Sequence, residues 1–329
     1  MDSIAFSLEP GAPFRLDLTV WVLRRSAGNV VDRWDGNTYR RVLIVREEAL
    51  EIEVTQTGPS DKPLLQVTAI GEAIPPDART FVTSSLTRML GTSVDLTEFH
   101  RFAERRPKLD ALALRFEGAR PPRFPSIFEA LVNALACQQL SLTVGIRLLN
   151  RLAERYGQSI EKQGAAYHAF PDPENLAVLT PEALRALGFS HQKARAVIEL
   201  ASAVAEKRLI LDELGILDNE AAADRLLKLR GVGRWTAEYV LLRGLGRLNV
   251  FPGDDVGARN NLQRWLGLPK TLDYQGARDS IAAWSPYGGL IYFHLLLKRL
   301  DHAGFLDGRR NNGGNDDKSQ ARLRITQGR

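Results

Sequence analysis

Cysteine is nearly absent: Cys137 is the only one in 329 residues. A single thiol excludes an intramolecular disulfide framework, a four-cysteine iron–sulfur cluster and a cysteine-rich zinc site, and it fits a reducing compartment. Histidine is also sparse. His100, His168, His191, His294 and His302 include no pair at the i, i+4 spacing of helical metal ligands, so no catalytic metal is expected. No stretch approaches the roughly 18 apolar residues of a membrane span. The start Met1-Asp2-Ser3 offers no basic segment before an apolar one, so neither membrane insertion nor export is expected. The glycine-x-glycine motif follows a helical pattern and lacks the Walker lysine and a preceding strand, which excludes a P-loop or dinucleotide site. No repeat with a period of roughly 20 to 50 residues is evident.

What remains is ordinary globular composition, 44% apolar and 25% charged, enough for a sizeable core. The net charge is +5, but the last 23 residues contribute +3 of it. A basic balance suits a nucleic-acid partner only weakly when so much of it sits in a tail.

Three regions are expected. Residues 1–117 read as an α+β domain. Short strands at 14–23, 39–46, 50–57 and 64–70 are rich in Val, Leu, Ile and Thr, and a helix follows near 76–90. The segment 119–125, with three prolines, disfavours helix and marks a crossing. Residues 118–306 then read as all-helical, beginning with a long helix at 127–156 and forming one or two lobes. Residues 307–329, with Asn311-Asn-Gly-Gly-Asn-Asp-Asp-Lys-Ser319, hold too little apolar material to pack and read as a disordered basic tail.

The chemistry concentrates at Leu226-Leu-Lys-Leu-Arg-Gly231-Val-Gly233-Arg234-Trp235-Thr236-Ala-Glu-Tyr239, a helix, a Gly-x-Gly turn and a second helix. The glycines permit positive backbone dihedrals, and the turn aims backbone N–H groups at an anion such as a DNA phosphate, with Arg234 adding charge. Many helical hairpins use glycine merely as a cap. Twenty-two residues beyond Gly233 stands Asp255, in Phe251-Pro-Gly-Asp-Asp-Val256 at the start of another helix. By local sequence either aspartate serves equally as a plain helix N-cap.

A hairpin followed about twenty residues later by a carboxylate resembles the helix-hairpin-helix DNA glycosylases. The resemblance extends to Phe128-Glu-Ala-Leu-Val-Asn-Ala-Leu-Ala-Cys-Gln138-Gln139-Leu140-Ser141 and Leu187-Gly-Phe-Ser-His-Gln-Lys193-Ala194, in the family's order. It covers roughly residues 10 to 305 and is closest to the 3-methyladenine DNA glycosylase II branch, which also has an N-terminal α+β domain.

That resemblance implies an enzyme of base excision repair that flips a damaged nucleotide into a pocket and cleaves its N-glycosidic bond. Asp255 takes the place of the essential aspartate, whose charge would stabilise an oxocarbenium-like sugar or orient water. Asp254 would cap the helix or bond its neighbours. Relatives that are also lyases carry a lysine where this chain has Trp235, so hydrolysis by a monofunctional enzyme is implied.

Gln138, Trp235 and Tyr239 would shape the pocket, the indole stacking on an electron-poor alkylated purine, although a core tryptophan is the plain alternative. Gln139 or Leu140 would fill the gap left in the duplex. Gly231, Gly233, Arg234 and Thr236 would contact the DNA backbone, and hairpin carbonyls would hold a monovalent cation if any ion is bound; no other cofactor is expected.

Arg230 replaces the family's usual proline, and Leu295 and Leu296 stand where some relatives place an aromatic wall. The partner is then kinked double-stranded DNA with damaged bases, in the cytoplasm with the nucleoid or in a nucleus, with no membrane and no obligate protein partner. A glycosylase for oxidised or deaminated bases and a non-catalytic binder of distorted DNA remain as alternatives.

Overall fold

The computed structural model describes residues 1–306; the expected disordered tail, residues 307–329, lies outside them. The first region is built on an antiparallel sheet of β1 (Asp2–Leu8), β2 (Arg33–Trp34), β3 (Thr38–Val45), β4 (Glu48–Gln56) and β5 (Leu65–Gly71), in the order β1-β5-β4-β3-β2. Alternation of buried and exposed residues along β5 gives the sheet one apolar face. The helices α1 (Leu16–Arg24) and α2 (Ala78–Leu90) cover that face, with Val20, Leu23, Val82 and Leu86 packed on Ile52, Val54 and Val67.

Residues 14–23, expected as a strand, form α1 instead. The reason is burial all round. Eight of its nine residues are buried, so the apolar positions show no 3.6-residue stripe and the β-branched Thr19, Val20 and Val22 imitate a strand. Leu16, Val20 and Leu23 face the sheet, while Leu18, Trp21 and Val22 face a second core.

That second core joins α3 (Thr97–Glu104) and α4 (Pro107–Arg115) to three helices from the far end of the chain: α12 (Val256–Leu266), α13 (Tyr274–Ala282) and α14 (Gly288–His302). The rings of Trp21 and Phe305 lie 5.1 Å apart in it. Residues on both sides of the expected 117/118 boundary therefore share one core.

The third core holds α5 (Ile127–Cys137), α6 (Leu142–Tyr156), α7 (Pro173–Ala177), α8 (Pro181–Ala186), α9 (His191–Ala205), α10 (Asn219–Leu227) and α11 (Arg234–Arg243). Two expectations fail here. The helix expected over 127–156 breaks at 138–141, where Gln138 leaves the helix and Ser141 caps the next one by accepting from the Val144 N–H at 3.4 Å. The region is also not purely helical: β6 (Ser159–Lys162) and β7 (Ala165–His168) form a hairpin, and Lys162 bonds Glu51 and Glu53 of β4.

A buried charged cluster fastens the sheet to the N-terminal end of α5. Arg41 donates to Asp32 at 2.8 Å and to Glu129 at 2.5 Å, and the Tyr39 hydroxyl donates to Asp32 at 2.7 Å. All four are buried. Burial would raise the Asp32 carboxyl, but Arg41 and Tyr39 outweigh it and hold it below its ordinary range; for Glu129 burial wins and raises it. Among the described residues no helix is long and apolar enough to cross a membrane.

Candidate active site

A cavity of about 890 Å³ opens where the second and third cores meet, and all ten residues singled out in the sequence line it: Asp255, Gln138, Gln139, Leu140, Gly231, Gly233, Arg234, Trp235, Thr236 and Tyr239. Four elements supply them: the C-terminal end of α5 and the turn after it, the hairpin between α10 and α11, the first turns of α11, and the start of α12.

The two hairpin glycines do different jobs. Gly231 has φ +74°, a left-handed conformation disfavoured for other residues. Gly233 is extended, at φ −103° and ψ −179°, so its glycine is not needed for a positive dihedral. A Cβ on Gly233 would meet nothing within 4 Å, which leaves the start of α11 open to an approaching anion.

Asp255 is both the helix cap and the cavity carboxylate. Its Oδ1 accepts from the Ala258 N–H at 2.9 Å, and its Oδ2 accepts from the Trp235 indole at 3.3 Å. One oxygen thus caps the helix while the other lies beside the indole at the cavity wall. Asp254 is not the cap. It pairs with Arg234 at 2.5 Å, and Arg259 reaches its other oxygen at 3.5 Å. The hydrogen bond to Asp254 also raises the Arg234 guanidinium, which lies 3.7 Å from the Tyr274 ring centroid.

Trp235 and Tyr239 lie one turn apart on α11 with ring centroids 5.4 Å apart, and the half-buried indole packs on the third core while lining the cavity. Gln138 is not mid-helix but the C-cap of α5. Its amide donates to the Gly231 carbonyl at 2.7 Å and to the Thr236 hydroxyl at 2.6 Å. Thr236 is buried, and its hydroxyl braces Gln138 by accepting from that amide. Gln139 sits exposed in the break with φ +55°, and Leu140 beside it is 42% exposed.

Several site residues escaped the sequence reading. Arg25 comes from the α+β region, where no functional residue was expected. It ends α1 in a left-handed conformation, φ 62°, which turns its side chain to the cavity floor. There it donates to the Tyr239 hydroxyl at 2.9 Å and to Asn133 at 2.5 Å. Burial would lower this guanidinium, but Tyr239 and Cys137 outweigh burial and keep it charged.

Tyr292 and Phe251 supply aromatic walls beside Leu295 and Leu296, packed edge-on at 6.2 Å. Burial, reinforced by Asp255, pushes the Tyr292 phenol far above the ordinary range, so it stays protonated. Glu238 accepts from the Gly253 N–H at 3.0 Å and from the Tyr274 hydroxyl at 2.8 Å, fixing the turn that carries Asp255 to α11. The spacing of Glu238 and Tyr239 on α11, with Asp255 beyond, was the one signal that could have pointed to Glu238. Nothing local distinguished Arg25.

Residues 132–286 match the family model described as HhH-GPD superfamily base excision DNA repair protein. A DNA-3-methyladenine glycosylase of Bacillus subtilis (strain 168) is 36% identical over 205 residues, which are 61% of this chain and 66% of that protein, just under two thirds of its length. A 3-methyladenine DNA-glycosylase from Archaeoglobus fulgidus superposes with a TM-score of 0.77 at 26% identity, over 91% of this chain and 98% of its own. The Schizosaccharomyces pombe 3-methyladenine DNA glycosylase (Mag1), solved in complex with abasic DNA, superposes at 0.52 with 25% identity, over 66% of this chain and all of its own.

Proposed function

We propose, from a chain that carries an HhH-GPD domain and so belongs to that base excision DNA repair superfamily, that it is a monofunctional DNA N-glycosylase acting on alkylated purines in duplex DNA. The observation that carries this reading is Asp255. One oxygen is spent on the helix, and the other faces an aromatic-walled cavity wide enough for a base, with an exposed Gln139-Leu140 turn at its mouth.

The hairpin takes a phosphate on the open start of α11, and Gln139 or Leu140 enters the space left by the flipped nucleotide. The base stacks between Trp235 and the Tyr292 side of the cavity. As the C1′–N bond breaks, its electron pair leaves with the base, and the sugar gains positive charge that Asp255 stabilises. Water then adds to C1′ and loses a proton, leaving an abasic site. No lysine stands at position 235 to form a Schiff base, so the strand stays intact. An electron-poor alkylated ring gains most from the aromatic walls. A monovalent cation at the hairpin would rest on backbone carbonyls other than that of Gly231, which Gln138 already uses, and would add charge for the phosphate.

The test incubates duplexes containing alkylated, deaminated or oxidised purines with the protein and measures free base, with and without alkali. Release of alkylated base with nicking only after alkali is expected. Release of oxidised or deaminated base alone would move the substrate class, and binding without any release would leave a non-catalytic binder of distorted DNA.

A further inference from the structure

We propose that Lys193 is the positioning residue of the Gln139-Leu140 turn, holding it rigid before DNA arrives. This rests on the glycosylase reading for its purpose, though not for its geometry. Lys193 lies on α9, yet its ammonium donates to the carbonyls of Ala136 at 2.9 Å and Gln138 at 2.6 Å, both at the C-terminal end of α5. Carbonyls at a helix end lack intrahelical partners and carry the negative end of the helix dipole, so a cation there is favoured twice over.

The turn is held from the opposite side as well. The Gln138 side chain bonds the hairpin at Gly231 and Thr236, while Lys193 bonds the Gln138 main chain. Gln139 then adopts φ +55°, sparsely populated for any residue but glycine, and the Leu140 N–H closes back on the Cys137 carbonyl at 3.3 Å. A non-glycine residue keeps such a conformation only where its surroundings fix it. Lys193 and Gln138 do so, tying the protruding turn to the phosphate-facing hairpin as one unit. A turn ordered in advance spares the complex the entropy of ordering it.

Two readouts on the full chain test this. In amide hydrogen exchange of the free protein, Lys193→Met should speed exchange at residues 138–140 by about tenfold or more while α6 and α11 keep wild-type protection. Lys193→Arg, which retains a charged donor, should restore it. In base release, Lys193→Met should lose about tenfold on duplex DNA relative to the same lesion in a single strand, where no stacked gap must be filled.

Unchanged exchange at 138–140, or a rise spread equally over α5, α6 and α9, overturns the proposal, as does an equal rate loss on both substrates. A wild type that releases no base from any substrate sinks the glycosylase reading instead, and the exchange data then judge the brace alone.

Discussion

The two ends of α5 place polar chemistry in opposite settings. At the N-terminal end, Glu129 is buried with Arg41, Asp32 and Tyr39 in short bonds made within the protein, and the cavity that reaches Arg41 and Glu129 there, about 400 Å³, is less than half the size of the one at the other end. At the C-terminal end, Gln138 is half-exposed, its amide is committed to the hairpin, and the groups around it line an open cavity. One helix thus joins a clamp to a site. Charge and short bonds alone therefore do not mark function: the terminal nitrogens of Arg41 are bonded to buried carboxylates, whereas the Asp255 Oδ2 that meets the Trp235 indole also borders the open cavity.

The largest effect should come from breaking the clamp. Arg41→Met leaves Asp32 and Glu129 buried without their cation and should cost about 3–5 kcal/mol in thermal or denaturant unfolding. Base release per folded molecule should fall less than tenfold, and a greater fall would break the separation between the two ends.

Asp255→Asn should do the reverse. Asparagine caps a helix as well as aspartate, so the melting temperature should move by no more than about 2 °C, while base release falls by about 10²- to 10³-fold. A melting loss as large as that of Arg41→Met would make Asp255 chiefly structural.

A pH series sharpens the comparison once a background titration is removed. Burial lowers His294 to about 4 from an ordinary 6.5, against the opposing hydrogen bond to the Leu290 carbonyl. Its stabilisation is complete above pH 6.5. As pH falls from 6.5 toward 4 the unfolded chain binds a proton that the folded chain refuses, so stability should drop by about 1.4 kcal/mol per pH unit. His294→Gln should flatten that slope in denaturant midpoints measured at several pH values. What remains should include the clamp, where the depressed Asp32 loses its contribution only as pH falls below the ordinary carboxylate range.

The smallest effect belongs to Arg234→Gln. Its pair with Asp254 is exposed, so stability should change by less than about 1 kcal/mol. Should the guanidinium meet a phosphate, the slope of log affinity for DNA against log salt should shrink by about 1; an unchanged slope leaves Arg234 a partner of Asp254 and Tyr274 only.

Much of the site was legible because its parts are local. A positive-φ glycine, a helix start and a carboxylate at a fixed distance along the chain leave a pattern of residue types, and β3, β4 and β5 showed themselves as short runs rich in Val, Leu, Ile and Thr bounded by turns. What stayed hidden was either buried all round or assembled from afar. The strand expected at 14–23 is a helix whose apolar residues face two cores, and Arg25 meets Tyr239 from 214 residues away along the chain. The break at 138–141 was concealed because apolar spacing continues on both sides, while Ser141, the cap that announces a new helix, lies within a run that reads as helical.

The contact between Trp21 and Phe305 sets an order of events during synthesis. One flank of α1 closes on the sheet as soon as β5 has formed, but the flank bearing Leu18, Trp21 and Val22 has its partners in α3, α4 and the last described helices. A ribosome must deliver almost all of the described chain before that surface is covered. The nascent α+β module therefore waits with an apolar stripe open to chaperones and to sticking, and the cavity cannot form until that stripe has found its cover.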